Sequence, residues 1–177
     1  DPLVIAGQGT TGLEIAQQAA EAGIARADVI ACCGGGGLTS GIALALEAEA
    51  PGLRARTAEP EGFDDAARSL AAGEITRNAA LGGSICDAIV TPQPGDLTFP
   101  ILNRLCGPGL VVSDTEALNA IGLAFNRLKL VAEPGGAVAL AAALFRQDEI
   151  DGDDVIVTIS GGNVDSDIFS RALATLD

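Results

Sequence analysis

Four consecutive glycines, Gly34 to Gly37, carry the first chemical signal in the sequence. Each glycine in regular structure costs roughly 0.5–1 kcal/mol relative to alanine, so the run implies that a backbone must come close to something. It follows the β-branched stretch Asp28–Cys33 (DVIACC) and opens the Ala-rich stretch Leu38–Ala50. A loop between a strand and a helix gathers free N–H groups at the positive end of the helix dipole, which makes an anion site. With no Cβ atoms in the way, several N–H groups can converge on one phosphate. A Walker loop would need a lysine here, and none is present. A dinucleotide fingerprint G-x-G-x-x-G fails at Ser40 or at Thr39, depending on which glycine starts it. Glu59 ends the next strand, where a ribose-binding acid would sit, so a dinucleotide-binding module stays open as an alternative.

Two further clusters stand out. Ser160-Gly161-Gly162-Asn163 follows the stretch Asp154–Ser160 (DVIVTIS), and open parallel sheets bind ligands beyond the carboxyl ends of their strands. Glu59, Glu61, Asp64 and Asp65 place four carboxylates within seven residues with no adjacent cation. Such a cluster is either solvated at a helix N-terminus or neutralised by a hard cation such as Mg2+ or Ca2+.

GGGGL (Gly34–Leu38), Glu133-Pro134-Gly135-Gly136-Ala137 and SGGN (Ser160–Asn163), in this order and spacing, resemble the serine/threonine dehydratases among the tryptophan-synthase-β-like pyridoxal phosphate enzymes. The opening VIAGQGTTGLEI (Val4–Ile15) is similar to the family's stretch just after its small domain, and the resemblance covers essentially all 177 residues. It implies that pyridoxal 5'-phosphate is the cofactor. Its phosphate would lie on the N–H groups of Gly34, Gly35, Gly36, Gly37 and Leu38, and its ring nitrogen on the Ser160 hydroxyl. A serine cannot keep that nitrogen protonated as a carboxylate would, which makes the ring a weaker electron sink and favours β-elimination. The serine racemase branch implies a cation on Glu59, the backbone carbonyl of Phe63 and Asp65. The implied activity is conversion of a small amino acid, serine or threonine, to a 2-oxo acid and ammonia. Racemisation or dehydration of 3-hydroxyaspartate are alternatives within the family; a non-catalytic dimerisation or folding unit is one outside it. The acidic balance and unpaired thiols are expected of a cytoplasmic protein, and a homo-oligomer is expected.

The family's cofactor-bearing lysine and its substrate-carboxylate loop lie nearer its N-terminus, and neither motif occurs in this sequence. Lys129 is the one lysine, in Arg127-Leu128-Lys129-Leu130, and is expected to be structural. There is no methionine, so the chain is expected to be a piece of a longer protein: one domain, 1–177, forming most of the large cofactor-binding domain, with the missing N-terminal part as its partner. Cys86-Asp87-Ala88 departs from the family's Ala-Asp-Gly, placing a methyl near the ring.

Lys+Arg total 10 against Asp+Glu 24, a net charge of −14, which argues against phosphate-backbone or anionic-lipid partners. The absence of histidine removes most zinc sites and the Ser-His-Asp triad. No apolar run approaches the roughly 20 residues of a membrane span. Cys32, Cys33, Cys86 and Cys106 lack C-x-x-C spacing and read as reduced, buried thiols.

The elements that must position these groups alternate strand and helix, which predicts an α/β fold: an open three-layer parallel sheet with helices on both faces. Strands are expected at 3–6, 28–33, 53–58, 87–91, 109–113 and 154–160. Helices are expected from a Thr11–Glu14 capping box to Ala22, and over 38–50, 63–72, 114–130, 137–146 and 165–176.

Overall fold

Residues 27–32 are apolar but for Asp28, and they form a fully buried central strand. The computed structural model describes residues 1–152 and 154–176. In it β1 (Ala27–Cys32), β2 (Leu53–Pro60), β3 (Leu110–Val112) and β4 (Val155–Val157) form a parallel sheet in the order β3-β2-β1-β4. Alternate side chains of β1 face opposite ways. Val29 and Ala31 pack with α1 (Pro2–Glu21) and α2 (Gly37–Glu49). Ile30 and Cys32 pack with α5 (Asp114–Leu123), α6 (Pro134–Phe145) and α7 (Ser166–Leu173). This is the open three-layer arrangement expected.

The chain steps outward from β1 through β2 to β3 and then returns to place β4 on the other side of β1. The reversal puts the topological switch point between β1 and β4, where an open α/β sheet forms its ligand crevice.

Several boundaries differ from expectation. No strand forms at 3–6 and no capping box starts at Thr11, because α1 begins at Pro2. Asp1 caps it by accepting the Leu3 N–H at 2.8 Å, and proline is favoured at a first helical position. Gly9 and Gly12 inside α1 are contact surface rather than breaks: a Cβ on Gly12 would lie 2.7 Å from Ala45 Cβ and 2.8 Å from the Ile42 carbonyl of α2. Residues 87–91 hold a 3-10 turn at Asp87–Ile89 instead of a strand. The helix α4 (Phe99–Leu105) was not anticipated, since Pro100 reads as a breaker yet sits in its first turn. The helix α3 (Asp65–Ala72) starts at Asp65 rather than Phe63. α5 starts with a capping box between Ser113 and Glu116, passes into a π-helical turn at Ala124–Leu128, and ends at Lys129 with φ +60°. α6 starts at Pro134 rather than Ala137, β4 is shorter than 154–160, and α7 ends in a 3-10 turn at Ala174–Leu176. Among the described residues no helix is long and apolar enough to cross a membrane.

Candidate functional site

The two glycine loops leave the sheet on either side of the switch point. Cys32 ends β1, and Gly34–Gly36 lead into α2. Gly36 is its N-cap, in the left-handed region at φ +86° and with no side-chain capping bond. Among the described residues the N–H groups of Gly34, Gly35, Gly36, Gly37 and Leu38 find no hydrogen-bond acceptor. No acidic side chain lies in the first turn of α2. A Cβ on Gly35 or Gly37 would meet nothing within 4 Å, so the loop borders open space. Unpaired donors at a helix N-terminus, with room beside them, suit a phosphate.

The loop is held from behind. The Gly35 carbonyl accepts from the Thr98 hydroxyl at 2.6 Å and from the Gly95 N–H at 3.1 Å. Beneath Gly36 lie Leu102 and Thr98, and Ile89 and Thr91 back Gly34. Thr98 has no motif around it and is not recognisable in the sequence.

Ser160 follows β4 and is exposed, with its Oγ 3.0 Å from Cys32 Sγ. Glu133 secures the same loop. Its N–H donates to the Gly161 carbonyl at 2.9 Å, and its carboxylate accepts from the Asn163 N–H at 3.0 Å. The Glu133 carboxyl carbon lies 2.5 Å from where a Cβ on Gly161 would stand, so a side chain there would have to displace the carboxylate that holds Asn163. The contact between the EPGG and SGGN segments was not foreseen, although both were visible as motifs. Ala88 lies against Gly135, 3.4 Å from the position of a Cβ there.

All four thiols are free, with Cys32, Cys33 and Cys86 buried and Cys106 partly so. Burial raises each above its ordinary value, Cys86 and Cys106 to about 12. They are neutral, as reduced buried thiols should be. Lys129 stands apart, its Nζ donating to the Asn126 carbonyl at 2.7 Å.

The acidic cluster splits in two. Glu61 is exposed, whereas Glu59 and Asp65 are buried. Both Glu59 oxygens cap α3, accepting from the Ala66 N–H at 2.8 Å and the Ala67 N–H at 2.7 Å. Burial nevertheless pushes its carboxyl up to about 8, and the charges of Asp65 and Asp64 add to this. Asp65 Oδ1 accepts from Asn78 at 2.6 Å, while its Oδ2 is buried with no partner. The Phe63 carbonyl accepts no bond among the described residues. The unpartnered Asp65 Oδ2 is the kind of buried oxygen donor that a hard cation takes, whereas both Glu59 oxygens are engaged by N–H groups of α3. The same burial removes Glu59 from any ribose, which counts against the dinucleotide alternative. No group of three His, Cys, Asp or Glu side chains comes together among the described residues.

Residues 1–162 match the family described as pyridoxal-phosphate dependent enzyme, and the chain belongs to that family. Serine racemase of Dictyostelium discoideum is 38% identical over 173 residues, covering 96% of this chain and 52% of its own. β-Hydroxyaspartate dehydratase of Paracoccus denitrificans is 39% identical over 167 residues, covering 94% and 51%. The crystal structure of a threonine deaminase from T.th. superposes with a TM-score of 0.88 at 44% identity, covering 93% of this chain and 60% of that one. The chain thus spans about half the length of the curated relatives it matches.

Proposed function

We propose that the full-length protein containing this chain uses pyridoxal 5'-phosphate to eliminate water from serine or threonine, yielding a 2-oxo acid and ammonia. The observation that carries this reading is the pairing of two elements across the β1–β4 switch point: a row of unpartnered N–H groups, and a serine hydroxyl tethered to the end of β1. When bound, the cofactor supplies a conjugated ring that draws electrons from the substrate Cα. The N–H groups of Gly34–Leu38 bind the phosphate through neutral donors, which suits a chain of net charge −14 with no cation in the loop. The Ser160 hydroxyl orients the ring at its nitrogen, and Glu133 fixes the loop that carries Ser160. Racemisation and 3-hydroxyaspartate dehydration are the neighbouring readings, kept by the relatives at 38% and 39% identity.

Ser160→Ala in the full-length protein removes one hydrogen bond worth on the order of 1 kcal/mol. Cofactor affinity is expected to fall about tenfold or less and elimination to slow, while Glu59→Gln leaves cofactor affinity nearly intact. Release of 2-oxo acid from L-serine and L-threonine tests the reaction itself. Interconversion of serine enantiomers without 2-oxo acid would turn the reading to a racemase. Binding of NAD that is lost in Glu59→Gln and untouched in Ser160→Ala would refute the pyridoxal phosphate site.

Glu59, the Phe63 carbonyl and Asp65 form the proposed Mg2+ or Ca2+ site. The sign of the pH dependence follows from Glu59. Its carboxyl is raised from an ordinary 4.5 to about 8, so the folded state holds the proton more tightly than the unfolded one. Its stabilising effect is full below pH 4.5 and is lost as pH rises towards 8. In chelator, the melting temperature is expected to fall over that window. Millimolar Mg2+ or Ca2+ should reverse the fall by favouring the ionised form, and Glu59→Gln with Asp65→Asn should abolish the cation effect. No cation-dependent rise in the unmodified protein would overturn the site.

A further inference from the structure

The ladder between β1 and β4 ends two residues short of Ser160. Its last bond runs from the Thr158 N–H to the Ile30 carbonyl at 3.0 Å. Beyond that point the Glu133 N–H holds the Gly161 backbone, and among the described residues only Cys32 Sγ, 3.0 Å away, touches the Ser160 hydroxyl within bonding distance. We propose that Cys32 is a positioning residue whose S–H donates to Ser160 Oγ and so leaves the serine proton for the cofactor ring nitrogen, an inference that rests on the pyridoxal phosphate reading above. A serine oxygen has one proton and two lone pairs, and a hydroxyl with no fixed partner rotates. Cys32 is buried in the core among Ile30, Ala58 and Leu110, so its sulfur is a fixed point. Ser160 is exposed on its other side. Burial and the nearby Glu133 charge keep the thiol protonated, although the bond to Ser160 pulls the other way. The reverse orientation would place the serine proton on sulfur, a weak acceptor, and would leave only lone pairs facing a ring nitrogen that itself needs a proton donor.

The test uses the full-length holoprotein and reads two quantities: the dissociation constant of pyridoxal 5'-phosphate by spectroscopic titration, and the absorption maximum of the bound ring. Cys32→Ala is expected to weaken cofactor about threefold to tenfold, the range of one neutral hydrogen bond, and to shift the absorption. Cys32→Val, which restores volume without a proton, should behave as Cys32→Ala does. Cys32→Ser should recover both values. In a Ser160→Ala background, Cys32→Ala should add nothing, since the two residues act as one unit. An equal weakening by Cys32→Ala with and without Ser160 would mean packing alone and would overturn the proposal. So would an effect of Ser160→Ala with none from Cys32→Ala, a result that leaves the cofactor site standing. No effect of Ser160→Ala on cofactor affinity would instead bring down the site itself, and the proposal with it.

Discussion

Gly36→Ala in the full-length protein is expected to lower stability by about 2–5 kcal/mol and to weaken pyridoxal 5'-phosphate about a hundredfold. Two costs combine. Gly36 sits at φ +86°, and a residue with a Cβ pays about 1–2 kcal/mol in the left-handed region. That Cβ would also stand 2.9 Å from Leu102 Cδ1 and 3.0 Å from Thr98 Oγ1, and overpacking of this kind costs about 1–3 kcal/mol. Side-chain shifts of Leu102 and Thr98 can relieve the contacts, but relieving the left-handed φ means turning the Gly35–Gly36 peptide. That motion swings the N–H groups at the start of α2 off their common focus, so affinity falls with stability. Gly35→Ala provides the contrast: its Cβ would meet nothing within 4 Å, and its effect on the unfolding midpoint should be small. Denaturant unfolding of the apo-protein and cofactor titration measure both effects. Equal destabilisation by the two variants would contradict the geometry described for this loop.

Asp28→Ala is expected to destabilise the protein by about 3–5 kcal/mol without touching the cofactor site. Asp28 lies at the opposite end of β1 and is 2% exposed, as is Arg56 beside it. Its carboxylate takes Arg56 at 3.0 Å and Arg54 at 2.8 Å from the neighbouring strand. Burial alone would raise the Asp28 carboxyl, yet the bonds and charges of the two arginines outweigh it and hold the group below its ordinary value. Removing one partner of a buried pair leaves an uncompensated charge, which accounts for the size of the loss. Because the folded pKa is depressed, this contribution is present above an ordinary carboxylate pKa of 3.8 and is lost as pH falls through the folded value. Glu47→Ala breaks the exposed pair with Arg104 and should leave the unfolding midpoint where it is. A loss for Asp28→Ala no larger than that of Glu47→Ala would show that the buried pair contributes nothing.

What could be read from the sequence followed local chemistry. The Gly34–Gly37 run, SGGN and the Glu59–Asp65 cluster are contiguous, and their flanks announce strand ends and helix starts. β1, β2 and α2 carry strong periodic patterns and lie within a residue or two of expectation. What escaped depends on distant partners. Gly9 and Gly12 of α1 look like breaks until Gly12 is seen to need a bare backbone against Ile42 and Ala45 of α2. The 87–91 stretch has strand-like side chains but no neighbouring strand, and it turns to back Gly34 instead. α4 hides behind Pro100 and shows its use only when Leu102 and Thr98 are found under Gly36. The roles of Thr98, Glu133 and Cys32 come from contacts spanning 63, 30 and 128 residues, and no local pattern encodes them.

The assignment of the Gly34–Leu38 loop to a cofactor phosphate is tested most directly by one comparison in the full-length protein: the dissociation constants of pyridoxal 5'-phosphate and of pyridoxal, in the unmodified protein and in Gly36→Ala. Several convergent N–H donors on a dianion should give the phosphorylated form an advantage of about a hundredfold or more. Gly36→Ala should erase most of that advantage while changing pyridoxal affinity little. Equal affinities for the two compounds, or a preference for the phosphate that survives Gly36→Ala intact, would contradict the assignment.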